Sequence, residues 1–136
     1  MGFEFRYSNF EFTQFMAKIL FIEDEAALQS AVGKILTDEG YQIISALDGE
    51  IGLRLAQDEL PDLILLDCIL PRKNGFEVLA ELKKDPKTSG IPVIILSNLE
   101  GSEDIQRMIE LGATTYLVKT NYRLEEIMKK IKDTLK

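Results

Sequence analysis

The feature that most constrains this chain is a fivefold alternation between short apolar runs and longer amphipathic segments, which begins at about residue 18. The short runs have the length of buried strands, and the segments between them place apolar residues at helical spacing. Strand-then-helix units with short connections predict an α/β fold, with a doubly wound, five-stranded parallel sheet and helices on both of its faces. The predicted strands are Lys18 to Ile22, Tyr41 to Ser45, Leu63 to Leu66, Pro92 to Leu96 and Thr115 to Val118. The predicted helices span about 26–38, 49–57, 75–84 and 102–111, followed by a last one that runs almost to the end.

Local signals mark several ends of these helices. Gly40 and Gly112 predict the ends of the first and fourth helices, because glycine readily takes the left-handed conformation found just after a helix. Pro61 marks the exit from the second helix. Asn121 has a side chain suited to a helix N-cap, so we predict that the last helix begins there.

The length and composition indicate a single domain without cross-links. A chain of 136 residues buries about two-thirds of its unfolded surface, so its core needs neither a disulfide nor a structural metal. Cys68 is the only cysteine, which excludes an internal disulfide and favours a reducing, cytoplasmic setting. The chain has no histidine, so it cannot host a histidine-based catalytic triad, a histidine metal site or a phosphohistidine.

Charge and hydropathy argue against two classes of partner. A formal net charge of −7 disfavours direct binding to nucleic acid or to an anionic membrane, since both are polyanions. No apolar run approaches the roughly 20 residues of a membrane span. Glu4, Arg6 and Glu11 interrupt the N-terminus where a signal peptide would be apolar. We therefore expect neither a nucleic-acid partner nor a membrane.

Residues 1–15 differ in character from the rest of the chain, since they hold five of the seven phenylalanines. Met16 resembles a second N-terminus, because the sequence after it leads directly into the first predicted strand. We interpret 1–15 as an N-terminal extension and 16–136 as the folded domain. A tag, a linker or an upstream start codon explains the extension better than a functional arm does.

Polar residues follow four of the predicted strands at their carboxyl ends, where ligands of such sheets bind. Glu23 and Asp24 follow the first strand, Asp67 the third, Ser97 the fourth and Lys119 the fifth. Taken singly, an acidic residue after a strand is more often a helix N-cap, and a lysine there is usually solvated. The coincidence across four strands is what indicates a site.

The chemistry of this set suggests a cation and an anion bound side by side. Three carboxylates repel one another unless a cation joins them, and a hard divalent ion such as Mg²⁺ prefers oxygen ligands. Lys119 could pair with Asp67 or with an anion attached to it, and Ser97 offers that anion a hydroxyl donor.

With these residues in place, the chain resembles the receiver domains of two-component response regulators over about residues 17–136. The resemblance implies a flavodoxin-like (βα)5 fold with strand order 2-1-3-4-5. The motifs that carry it are Lys18-Ile-Leu-Phe-Ile-Glu23-Asp24-Glu, Pro61-Asp-Leu-Ile-Leu-Leu-Asp67, Pro71 with Gly75-Phe76, Pro92-Val-Ile-Ile-Leu-Ser97, and Gly112-Ala-Thr-Thr-Tyr116-Leu-Val-Lys119.

The resemblance implies a role for each matching residue in phosphoryl transfer. Asp67 would be the phosphoacceptor, Lys119 would hold the phosphoryl group, and Ser97 would move to hydrogen-bond it. Tyr116 matches the aromatic residue that changes rotamer on activation.

The resemblance also implies a Mg²⁺ site beside the acceptor. Asp24 and Asp67 would be direct ligands, together with the backbone carbonyl of Ile69. Glu23 would act through a bound water.

The function implied is that of a single-domain response regulator, phosphorylated by a sensor histidine kinase or a histidine phosphotransfer protein. Such a chain is a signalling module and not an enzyme with a separate substrate, although it catalyses its own phosphorylation and dephosphorylation. Its output would be a changed protein-binding surface at about residues 102–135, on a monomer or a weak phosphorylation-dependent dimer.

Two other functions remain open at this point. A flavodoxin-like electron carrier would need a glycine- or hydroxyl-rich phosphate loop after the first strand, where Glu23, Asp24 and Glu25 stand instead. A degenerate receiver would bind a partner without phosphorylation, but all the acceptor residues are present here.

Some positions depart from the family pattern or flank the site. Thr120 replaces the proline that usually follows the lysine, and Asn98 stands where a smaller residue is common. The resemblance implies that Ile69 and Leu99 flank the approach of a hydrolytic water, and neither side chain can hydrogen-bond it. Cys68 reads as a semi-buried spacer rather than a redox group, because no basic neighbour is evident to lower its pKa.

Overall fold

The computed structural model describes residues 17–136, which form five strands and five α-helices in strict alternation. Our interpretation of 1–15 as an extension lies outside the described residues. The strands are β1 Lys18–Ile22, β2 Gln42–Ala46, β3 Leu63–Leu66, β4 Val93–Ser97 and β5 Thr115–Val118. The helices are α1 Ala26–Asp38, α2 Gly49–Glu59, α3 Gly75–Lys84, α4 Ser102–Leu111 and α5 Leu124–Leu135.

The strands form one parallel sheet in the order β2-β1-β3-β4-β5. The predicted fold class and strand order are therefore confirmed. β2 and β4 begin one residue later than predicted, and α2 extends two residues further. Tyr41 is lost from β2 because its N–H donates to Leu36 O in the C-terminal cap of α1.

The prediction for the start of the last helix was wrong. Asn121 does not cap α5, because it lies in a short 3₁₀ helix, Lys119–Asn121, that turns the chain at the end of β5. α5 starts only at Leu124, and its N-cap Arg123 donates its backbone N–H to the carboxylate of Glu126 over 2.9 Å. The two glycine predictions were correct, since Gly40 and Gly112 follow their helices with φ of 96° and 112°.

Side chains alternate between two core clusters, one on each face of the sheet. In β1, Leu20 and Ile22 enter the cluster under α2, α3 and α4, while Ile19 and Phe21 enter the cluster under α1 and α5. All four are fully buried, and burying an aliphatic or phenylalanine side chain contributes about 1.5–3 kcal/mol. Both faces of the sheet are thus covered, which leaves the carboxyl ends of the strands as the accessible edge for polar chemistry.

Within the part of the chain that the structure describes, none of the helices has the length and apolar character needed to cross a bilayer.

Candidate functional site

The polar residues predicted at the strand ends meet in one cleft at the carboxyl edge of the sheet. It contains the ends of the central strands β1, β3 and β4 and of the edge strand β5. The side chains that line it are Glu23, Asp24, Glu25, Asp67, Ile69, Ser97, Asn98 and Lys119. Every strand-end residue predicted from the sequence is therefore in the same cleft.

Three carboxylates form the acidic side of this cleft. One oxygen each from Glu23, Asp24 and Asp67 lies within 4.8 Å of the other two. Glu23 and Asp67 are buried, with 1% and 6% of their surface exposed, whereas Asp24 is exposed. Buried carboxylates this close repel one another unless positive charge compensates them. An all-oxygen set of this size fits a hard divalent cation.

Lys119 supplies positive charge within this cleft. Its Nζ lies 2.7 Å from Glu23 Oε1 and 3.1 Å from Asp67 Oδ2. Burial alone would lower the pKa of Lys119, but its close polar and charge interactions with Glu23 and Asp67 outweigh burial and raise it. Lys119 is therefore a permanent cation at neutral pH, placed between the two buried carboxylates.

Glu23 keeps acceptor capacity that the protein does not use fully. Burial raises the pKa of Glu23, against the lowering effect of Lys119. Oε2 accepts the backbone N–H of Glu25 over 3.0 Å. Oε1 forms an ion pair with Lys119. Among the described residues, however, no donor meets the angles of a hydrogen bond to Oε1. A buried carboxylate oxygen with a free lone pair, beside Asp24 and Asp67, suits a cation or its bound water.

The backbone that carries Asp67 is held by close packing of the loop before α3. A Cβ added at Gly75 would lie 2.2 Å from the carbonyl oxygen of Asp67, so only glycine fits there. Gly75 also donates its N–H to Cys68 O over 2.8 Å. The start of α3 is fixed by a capping box, in which Asn74 and Glu77 exchange side-chain and backbone hydrogen bonds of 2.9 and 3.2 Å.

Sequence reasoning missed Gln29, a buried polar residue behind the acidic end of β1. Its Nε2 donates to the carbonyl oxygens of Phe21, Glu23 and Ala46 at 2.9, 3.1 and 3.0 Å. Gln29 thus ties α1 to the ends of β1 and β2 and fixes the backbone that carries Glu23. The available signal was its position in helical register with buried Val32 and Leu36, where an apolar residue is expected.

Ser97 and Tyr116 lie next to each other on the α4 side of the sheet. Ser97 is fully buried, and the N–H of Leu99 lies 3.4 Å from its Oγ. Tyr116 donates its hydroxyl proton to Leu99 O over 2.8 Å, and Cys68 Sγ lies 3.5 Å from the same hydroxyl. Burial raises the pKa of Tyr116 and of Cys68. Both groups are therefore neutral at physiological pH, which argues against a reactive thiolate at Cys68.

The residues expected to flank the approach of water differ in their surroundings. Ile69 lines the cleft with 60% of its surface exposed. Leu99 instead packs against the core cluster under α2, α3 and α4. Asn98 lines the cleft beside Ser97, and Thr120 lies in the 3₁₀ helix after β5.

Comparison with known proteins agrees with this geometry. The profile of the response regulator receiver domain matches residues 19–132. The transcriptional regulatory protein CiaR of Streptococcus pneumoniae is 43% identical over 121 residues, which are 89% of this chain and 52% of CiaR. Protein PilH of Pseudomonas aeruginosa is 36% identical over 104 residues, 76% of this chain and 86% of PilH.

A solved structure of the chemotaxis response regulator CheY4 of Vibrio cholerae superposes with a TM-score of 0.82 at 30% identity, covering 88% of this chain and 99% of CheY4. The chain spans about half the length of CiaR and 23% of the response regulator PleD of Caulobacter vibrioides. The extent of the profile match and the identity to these relatives establish the family. The chain belongs to the response regulator receiver domains.

Proposed function

We propose that this chain is a Mg²⁺-dependent phosphoacceptor of a two-component system, and that Asp67 receives the phosphoryl group. The observation that carries the proposal is the position of Asp67. Its buried carboxylate lies 3.1 Å from the Lys119 ammonium and beside two further carboxylates. The family match removes the electron-carrier alternative and supports phosphoacceptance.

The chemistry follows from charge and position. A carboxylate oxygen of Asp67 attacks phosphorus in line with the donor's phosphorus–nitrogen bond, which breaks as the acyl phosphate forms. Lys119 leaves its contact with Asp67 to neutralise a phosphoryl oxygen, and the Ser97 hydroxyl turns to hydrogen-bond another. Mg²⁺, held by Asp24, Asp67, the Ile69 carbonyl and Glu23 through water, would supply the remaining positive charge.

The new group also changes the surface of the domain. It adds about two negative charges and three acceptor oxygens at the cleft. Movement of Ser97 would alter the contacts of the neighbouring Tyr116 and of the loop that leads into α4. α4 suits a mobile output element, because Met108 is its single buried residue. A downstream protein would bind at about residues 102–135.

The proposed setting is that of a single-domain, cytoplasmic regulator. PilH, 86% of which this chain matches, supports a regulator of that size. The donor is a sensor histidine kinase or a histidine phosphotransfer protein. The domain is a monomer, or a weak dimer formed on phosphorylation, and its surface charge keeps it from nucleic acid and membranes.

The decisive experiment is modification by a small phosphodonor. Incubation with acetyl phosphate and Mg²⁺, followed by intact-mass measurement, should add one phosphoryl group, and a chelator of Mg²⁺ should prevent it. Asp67→Asn should abolish the addition while the fold survives, because the two side chains are nearly isosteric.

Asp58→Asn is the matched control, since it removes the same charge at an exposed position of α2. It should be phosphorylated like the parent protein. Phosphorylation that persists in Asp67→Asn would reject Asp67 as the acceptor. A parent protein that takes up no phosphoryl group would point to a degenerate receiver.

A further inference from the structure

Cys68 and Tyr116 form a polar contact that the proposed phosphoryl transfer does not use. The Cys68 Sγ lies 3.5 Å from the Tyr116 hydroxyl oxygen, and that hydroxyl donates its proton to Leu99 O over 2.8 Å. A phenol has one proton to donate, so its oxygen is the acceptor at Cys68 and the thiol is the donor. The result is a chain of hydrogen bonds from Cys68 through Tyr116 to the loop after β4.

The Cys68 end of this chain is rigid. Cys68 follows Asp67 directly and is only 1% exposed. Its carbonyl oxygen accepts the N–H of Gly75 over 2.8 Å, and a Cβ at Gly75 would lie 2.8 Å from Cys68 Cα. Because these contacts with Gly75 hold the backbone of Cys68 in place, the position of its thiol beside Asp67 is fixed.

The Tyr116 end is less confined. Tyr116 lies on β5, the edge strand of the sheet, and its side chain is only half-buried. Its hydrogen-bond acceptor, Leu99, lies in the loop that leads into α4. α4 is anchored by the buried side chain of Met108 and by Arg107, whose guanidinium lies 4.3 Å from the centre of the Phe76 ring. A fixed donor therefore contacts a half-buried ring on the edge strand, next to a helix with a single buried residue.

We propose that Cys68 is a positioning residue that holds the Tyr116 ring inward against the β4–α4 loop. It thereby sets the balance between this orientation and an outward, solvent-exposed one. The role of Tyr116 as the residue that reports phosphorylation rests on the proposed function. The contact with Cys68 does not depend on it. Loss of one weak hydrogen bond shifts the ratio of two orientations by about threefold to tenfold.

Fluorine NMR on protein labelled with fluorotyrosine measures this balance directly. The chain has four tyrosines, and Tyr116→Phe identifies the Tyr116 resonance by its loss. Cys68→Val replaces the thiol with a somewhat larger, branched apolar side chain, whereas Cys68→Ala removes the sulfur and its volume. Spectra are recorded under reducing conditions without phosphodonor, in H₂O and in D₂O, because the solvent isotope shift of the fluorine reports exposure of the ring.

We expect the Tyr116 resonance to move towards the exposed position in both variants, with the outward-to-inward ratio raised about threefold to tenfold. The other tyrosine resonances should stay in place. An unchanged Tyr116 resonance in both variants would overturn the proposal. A shift in Cys68→Ala alone would assign the effect to lost volume, and a shift in Cys68→Val alone to its added branch, so either result would overturn it as well.

The outcome can be separated from that of the proposed function. A parent protein that acetyl phosphate and Mg²⁺ fail to modify would reject the phosphoacceptor role but leave the fluorine measurement valid. Conversely, normal phosphorylation of the parent together with an unmoved Tyr116 resonance in both variants would reject only the role of Cys68.

Discussion

At the scale of single residues, the cleft combines one ammonium group with three carboxylates, of which Asp67 is the proposed phosphoacceptor. Lys119 contacts Glu23 and Asp67 at once, and Asp24 is left exposed to solvent. A single ammonium cannot neutralise three carboxylates, so the site retains net negative charge among the described side chains. This residual charge favours a divalent cation, and it would otherwise oppose the approach of a phosphoryl donor.

Ile69 offers a test of how long the proposed acyl phosphate survives. Hydrolysis needs a water placed in line with the bond to phosphorus, and the exposed apolar side chain of Ile69 lines the cleft without being able to hold one. We expect a slowly hydrolysing parent, and Ile69→Asn should speed loss of phosphate by about 10-fold, or about 1.4 kcal/mol of barrier. Intact-mass measurement after removal of the phosphodonor gives the rate.

Ile51→Asn is the control for Ile69→Asn, because Ile51 is an exposed isoleucine on α2 that does not line the cleft. Its rate should match the parent. Fast loss of phosphate in the parent, or an unchanged rate in Ile69→Asn, would refute the explanation by water exclusion. Leu99 is left unchanged in this test, because its side chain packs on the core and it does not line the cleft.

At the scale of elements, the site depends on how closely the β3–α3 loop approaches β3. Gly75 begins α3 directly against the carbonyl of Asp67, and Gly49 begins α2 against the backbone of Lys73. The first residues of α2 and α3 thus pack closely against the two ends of the loop that follows Asp67. Neither Gly49 nor Gly75 leaves room for a side chain. Since this loop carries Ile69, its position determines where the expected carbonyl ligand of Mg²⁺ lies.

Two glycine substitutions test this close packing. Gly75→Ala would place its Cβ 2.2 Å from backbone, so we expect it to lower the free energy of unfolding by about 1–3 kcal/mol and to slow phosphorylation. Gly33→Ala, within α1, meets no atom within 4 Å and should raise the free energy of unfolding by about 0.5–1 kcal/mol. Urea denaturation measures both changes. Equal effects of the two substitutions would show that close packing at Gly75 is not what fixes the loop.

At the scale of the whole molecule, the described residues 17–136 bury both faces of the sheet. The cluster under α1 and α5 includes Ala17 at its margin, and the cluster on the other face is built from residues further along the chain. Each of the five strands contributes buried apolar side chains to these two clusters.

Removal of residues 1–15 tests the domain boundary that we propose. A chain that starts at Met16 should keep the midpoint of urea unfolding and the rate of phosphorylation by acetyl phosphate, because the described strands, helices and core clusters lie within residues 17–136. Both quantities are measured beside the full chain, together with the molar mass from light scattering. A large loss of stability, or a changed oligomeric state, would show that the phenylalanines of the extension pack on the domain or on a second copy.

What the sequence by itself determined is the architecture and the membership of the site. The alternation of strand-length apolar runs with segments of helical periodicity predicted the parallel sheet. The residues at the carboxyl ends of its strands predicted the cluster of Asp24, Asp67, Ser97 and Lys119. These inferences succeed because periodicity is a local property, and because a parallel sheet brings the carboxyl ends of its strands to one edge. The family motifs then added roles that periodicity cannot supply.

Only the tertiary structure decided which of these side chains contact one another. The double ion pair of Lys119, the three hydrogen bonds of Gln29 and the contact between Cys68 and Tyr116 all join residues on different elements. The start of α5 likewise depends on the turn after β5. Asn121 is part of the 3₁₀ helix in that turn and therefore does not cap α5. Such contacts depend on distances set by packing of the whole sheet, and no local pattern in the chain encodes them.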